Sequence, residues 1–239
     1  MAEHNEQMPV LYARPAILTL ERHRDTCVTE ITRFAFARIA NSLPVGADEM
    51  LVAQSHYPLV FTASDPALPV AVLGIDKNLF VEEDGKWRAG TYLPAYVRRY
   101  PFLLARGASP KETYLALDEA SFCVTTGEGQ RLFDGDAPSA LARRALEFCL
   151  AYEIQLDIAR AFGEAARAAG ILVTQRADLR LGDGSRFSLE GFRVIDEARF
   201  DTLPNEIFLT WRRNGWLSLA YAHLLSMRKW QDLAIAGTV

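Results

Sequence analysis

Histidine, cysteine and clustered basic residues are all scarce in this chain, and each scarcity removes a class of function. Four histidines among 239 residues leave few candidates for a histidine-based metal centre or catalytic pair. The three cysteines, Cys27, Cys123 and Cys149, are odd in number and widely scattered. None forms a C-x-x-C or a Cys/His cluster with zinc spacing, and apolar or β-branched neighbours flank each one. Buried free thiols in a reducing compartment are expected, rather than a disulfide framework or a nucleophile. The densest basic spots are pairs such as Arg98-Arg99, Arg143-Arg144 and Arg212-Arg213, never a longer run. With a net charge of −4 and a pI near 5.6, the chain is not expected to bind nucleic acid.

Long apolar runs are missing too. Charges interrupt every stretch that approaches the roughly 20 residues a membrane helix requires, so membrane insertion is not expected. Residues 1–9 lack the basic and apolar regions of a secretory signal, and the expected location is cytoplasmic. The phosphate-loop, dinucleotide, zinc-protease and nucleophile-elbow patterns are absent. Gly127-Glu128-Gly129 has neither the third glycine nor the helix of a nucleotide site. No cofactor and no metal are expected. An enzyme would have to work without a recognisable motif, using His56, Asp76 or His223 as acid or base.

What is present is material for a large core. Half the residues are hydrophobic, 23% are charged, and the mean hydropathy is +0.00, all near the globular average. No repeat or long polar linker divides the chain. Residues 9–239 read as a single domain behind a flexible tail, 1–8.

The first half reads as β-rich with short helices. Residues 27–38, rich in β-branched and aromatic side chains, predict a strand. Asn41-Ser42-Leu43-Pro44 predicts a turn into a helix at 46–55, with Asp48 and Glu49 in its first turn. The apolar runs 59–62 and 70–73 predict buried strands. Glu83-Asp84-Gly85-Lys86 predicts a hairpin turn between 78–81 and Trp87; 114–117 and 122–124 add strands. A long helix is predicted over 139–169, capped by Asp136 and ended by Gly170. Its apolar stripe is Leu141, Ala145, Phe148, Tyr152, Leu156 and Ala159, widened by Leu146, Leu150 and Ile154. A second Asp-Gly hairpin is predicted around 182–185, followed by helices from 197 to 233, the last of them running from 215. This grouping predicts an α+β fold: an antiparallel or mixed sheet, one long core helix and a C-terminal helical segment.

The densest unusual segment is Tyr92-Leu93-Pro94-Ala95-Tyr96-Val97-Arg98-Arg99-Tyr100-Pro101-Phe102. Its prolines predict a short helix between them. Arginines beside aromatic planes hold a carboxylate or phosphate by paired hydrogen bonds, or stack on a ring. Tyr57, Asn78, Trp87, Tyr92, Tyr96, Arg98 and Arg99 are therefore the candidate lining of a pocket for a small anionic or aromatic ligand. The competing reading places the tyrosines in the core and pairs the arginines with some of the 30 acidic residues. The other candidates have plain structural readings as well. His56 stands at a helix end, where histidines meet terminal carbonyls. Asp76 and Asn78 lie in an ordinary turn composition. His23 sits between two arginines on what reads as a solvated stretch. Trp216, Tyr221, His223, Leu224 and Trp230 read as core, or as an exposed stripe that would make a homo-oligomer.

Several of these segments, in this order over most of the chain, resemble the bacterial SapC family. They are His56-Tyr57-Pro58-Leu59-Val60-Phe61, the hairpin from Asn78 to Trp87, the segment 92–102, Arg131-Leu132-Phe133-Asp134, Gly215-Trp216-Leu217 and His223-Leu224-Leu225-Ser226. The resemblance implies association with the bacterial surface layer or envelope. It thus implies a binding or accessory protein, with an envelope protein as another candidate partner. It brings no catalytic residues.

Overall fold

One long helix bridges two antiparallel sheets, and the surface where it meets the second sheet holds the site discussed below. A computed structural model describes residues 9–107, 109, 112–180 and 186–236. In chain order its helices are α1 (Leu20–His23), α2 (Ala47–Ala53), α3 (Ala95–Arg98), α4 (Ala140–Ala168), α5 (Glu197–Asp201), α6 (Asn205–Arg213), α7 (Trp216–Ser226) and α8 (Lys229–Ala236).

The larger sheet has five strands in the order Leu172–Arg180, Arg186–Ile195, Leu59–Phe61, Pro69–Val72 and Ser42–Pro44. Every neighbouring pair is antiparallel. Leu59, Val60 and Phe61 are all buried, which explains their unbroken apolar run. The second sheet orders Pro15–Ile17, Thr113–Asp118 and Phe102–Arg106, again antiparallel. A third joins Val124–Thr126, Thr26–Val28 and Gln130–Arg131.

Helix α4 touches the five-stranded sheet and the second sheet. Its buried face runs through Cys149, Tyr152, Leu156, Ala159 and Phe162. Leu150 and Ile154, expected to widen that face, point outward instead, Ile154 with 59% of its surface exposed. The cap is Ser139, whose hydroxyl accepts from the Ala142 amide at 3.2 Å. Asp136 does not reach the helix because Ala137–Pro138 is an extended strand; it pairs with Arg24 at 2.9 Å. Near the other end, a Cβ placed on Gly163 would lie 1.8 Å from the Ala67 carbonyl oxygen. Glycine lets the preceding loop rest directly on the helix backbone.

Other expectations are corrected in detail. The strand at 27–38 shrinks to Thr26–Val28, and the chain then forms a 3-10 helix, Ala35–Ile39. Phe34 meets Trp87 edge to face there and Phe36 stacks on Tyr100, so aromatic contacts replace a ladder. Residues 42–44 are an edge strand rather than a turn, a position that tolerates Pro44. The first Asp-Gly turn forms, with Gly85 at φ 82°, but it closes a single bridge between Val81 and Trp87. The strand expected at 122–124 lies at Val124–Thr126 and leaves Phe122 exposed. His23 is buried against Glu119, 3.2 Å away, not solvated. The last predicted helix is two, α7 and α8, separated near Met227. The tail 1–8 and the hairpin tip at 181–185 lie outside the described residues.

Candidate functional site

The site is organised by α3, whose start is held by a carboxylate from α2. Glu49 accepts from the Ala95 amide at 2.6 Å, from the Tyr92 hydroxyl at 3.0 Å and from the Gly46 amide at 3.0 Å. Burial pushes the Glu49 carboxyl up, while these donors and nearby Arg98 pull it down; the net direction is up. The two arginines at the end of α3 then diverge. Arg98 is exposed, donates to the Tyr92 hydroxyl at 2.8 Å and lies over the rings of Phe148 and Tyr92, at 5.3 and 5.5 Å.

Arg99 turns inward among three tyrosines. Its guanidinium carbon is 4.3 Å from the centre of Tyr96, 5.0 Å from Tyr152 and 5.5 Å from Tyr12. Those phenols donate to backbone carbonyls of Val10, Pro44 and Phe102, at 2.8, 3.0 and 2.8 Å, which fixes the rings. Burial pushes all three hydroxyls up, so they are neutral at physiological pH. Burial opposes the charge on Arg99 as well, while Tyr12, Tyr152, Tyr96 and Cys149 favour it whenever they ionise, and the net direction is up. Among the described residues no carboxylate forms an ion pair with Arg98 or Arg99. The buried Nε of Arg99 has no hydrogen-bond partner.

Both arginines open onto a cavity of about 470 Å³, and a third, Arg144 of α4, joins them in its lining. Phe34, Leu93, Phe102 and Phe148 form much of the apolar wall. Among the described residues no acidic residue and no histidine lines it. Cys149 does, but burial pushes its thiol up to about 11, so it is protonated and a poor nucleophile.

The SapC family model matches residues 18–233. The chain belongs to the SapC family. Among curated proteins and among solved structures, none matches it.

In this SapC chain the seven residues expected to form a pocket divide into two groups. Arg98 and Arg99 line the cavity; Tyr57, Asn78, Trp87, Tyr92 and Tyr96 do not. Tyr57 is fully buried and its hydroxyl donates to the Tyr92 carbonyl, which also accepts from the Trp87 indole at 3.2 Å. Asn78, buried too, donates to the Ala37 carbonyl and accepts from the Phe80 amide. Tyr57 and Trp87 hold the chain at 92 in place and Asn78 ties its own loop to Ala37, while Tyr92 and Tyr96 contact the guanidinium groups. Sequence reading missed Arg144, although it lies one turn before Phe148 on the same face of α4.

The acid–base candidates of the SapC chain line none of its described cavities. His223 is completely buried, and its Nε2 accepts from the Ile195 amide at 3.0 Å. Desolvation lowers it to about 3, so it is a neutral core residue. His56 is half-buried and lowered by burial and by Lys229; Asp76 is exposed on a loop. Among the described residues no cluster suits a metal ion, and no helix is long and apolar enough to cross a membrane.

Proposed function

We propose that the chain is a non-catalytic binding protein that takes a small anionic ligand into the cavity at Arg98 and Arg99. The observation that carries this reading is the concentration of arginines in a cavity without acids. A partly desolvated cation lacking a counter-charge is unfavourable unless an anion meets it. The tyrosine faces offset some of that penalty, about 0.5–2 kcal/mol each, and leave the remainder for a ligand. The lining offers no residue poised to move a proton, which favours binding over catalysis. SapC membership favours an accessory role linked to the bacterial surface layer or envelope, with an envelope component as the ligand or partner.

Thermal-shift measurements with anionic sugars, peptides and aromatic acids test the proposal. At least one should raise the midpoint of the wild type, and Arg98→Gln should abolish that rise. Should no stabilisation depend on Arg98, the cavity is not the binding site.

One observation favours a second reading, self-assembly through the C-terminal helices. Tyr221 and Leu225, one turn apart on α7, are about half exposed, at 50% and 48%. Light scattering across a concentration series separates an assembling chain from a monomeric binder.

A further inference from the structure

Resting on that binding cavity, we infer that its ligand is a free single-chain amphiphile, one anionic head on a sizeable apolar body, and that Arg144 with Arg98 holds the head. Leu141, Arg144, Ala145, Phe148 and Cys149 all line the cavity and follow the spacing of a single helical face. Arg144 is exposed and makes no hydrogen bond, ion pair or ring contact among the described residues. Its neighbour Arg143 is engaged, donating to the Pro138 carbonyl at 2.5 Å. Arg98 lies over Phe148, and Arg144, one turn before Phe148 on the same helix, is a second exposed cation in the lining of the same cavity. Like charges that share one cavity repel each other, and an anion entering it relieves that repulsion; guanidinium forks suit a carboxylate or a phosphate there.

The rest of the lining is mainly apolar, with Val28, Ile31, Phe34, Leu93 and Phe102 beside Thr29, Arg99 and Tyr100. Such a surface offers few partners to the many hydroxyls of a sugar, most of which would lose their water uncompensated. A bare small anion would leave the apolar volume unused. About 470 Å³ falls within the range of sites that enclose a small organic molecule. An apolar body buried there should tighten binding roughly three- to fourfold per methylene.

Isothermal titration of the full chain with acetate, octanoate, decanoate and decanamide, below micelle-forming concentrations, tests the assignment. Affinity should rise along the carboxylate series, and decanamide should bind at least about tenfold more weakly than decanoate. Arg144→Gln should weaken decanoate by about tenfold, and Arg143→Gln should leave it unchanged. Circular dichroism checks that both variants fold, as expected for exposed positions. Acetate or inorganic phosphate binding as tightly as decanoate, in an Arg98-dependent manner, would overturn the ligand class while sparing the anion-binding cavity. Decanamide matching decanoate, or Arg144→Gln binding normally, would overturn the head contact. Co-sedimentation with phosphatidylglycerol vesicles that Arg144→Gln abolishes would make the ligand a bilayer lipid and refute a free amphiphile. Loss of every Arg98-dependent anion effect would remove both the amphiphile and the cavity.

Discussion

Arg99 lies over the face of Tyr96, its guanidinium carbon 4.3 Å from the ring centre. Tyr152 and Tyr12 complete the enclosure, and all three phenols spend their protons on backbone carbonyls. Tyr12 comes from the N-terminal segment, Tyr96 from α3 and Tyr152 from α4. One cation therefore ties together three parts of the chain that are distant in sequence.

Arg99→Ala should accordingly destabilise the fold by about 2–4 kcal/mol, through lost cation–π contacts and lost stem packing. Arg99→Lys should recover part of this, since an ammonium keeps the charge but cannot stack as a plane. Urea unfolding monitored by fluorescence gives both values. A loss under about 0.5 kcal/mol for the alanine variant would contradict the cage.

His223 predicts a pH dependence with a definite sign. Its folded value is lowered to about 3 from an ordinary 6.5. Below pH 6.5 the unfolded chain takes up a proton that the buried ring cannot accept. Stability is therefore fully present above that pH and is lost as pH falls towards 3. His223→Gln retains an acceptor for the Ile195 amide and removes the titration. Its unfolding free energy should vary less between pH 7 and 4.5 than that of the wild type. Parallel curves would mean that the imidazole titrates in the folded protein.

Gly163→Ala should be costly although it sits in a helix, where alanine is normally favoured. The added Cβ would lie 1.8 Å from the Ala67 carbonyl, so loop and helix must separate. A destabilisation of about 2–3 kcal/mol is expected from denaturant midpoints, as for an overpacked core. An alanine variant as stable as the wild type would show that the loop does not rest on α4.

Those elements that are periodic or continuously apolar were legible from residue order. The long helix, the buried strands at 59–61 and 69–72 and the Asp84-Gly85 turn follow from local chemistry alone. Its cap did not, because Ser139 and Asp136 are both good acceptors and only the extended Ala137–Pro138 pair decides between them. Likewise, Leu150 and Ile154 match the apolar spacing of their helix but face away from both sheets, which no local pattern reveals. The site was half legible. Arg98 and Arg99 stand out by density among aromatics, whereas Arg144 looks like any charged residue on an amphipathic helix. It becomes notable because it lines one cavity with Arg98, Val28 and Phe34, a juxtaposition set by tertiary structure. Tyr57 and Asn78 failed as lining residues for the converse reason. They are polar groups whose hydrogen bonds are taken by backbone.

The most direct measurement follows the side-chain Nε–Hε signals of the arginines by heteronuclear NMR while decanoate is added. Saturable shifts at Arg98 and Arg144, with a common midpoint and little movement at Arg212 and Arg213, are what the account predicts. Signals at 98 and 144 that stay still, or that move no more than those of the other surface arginines, would contradict it.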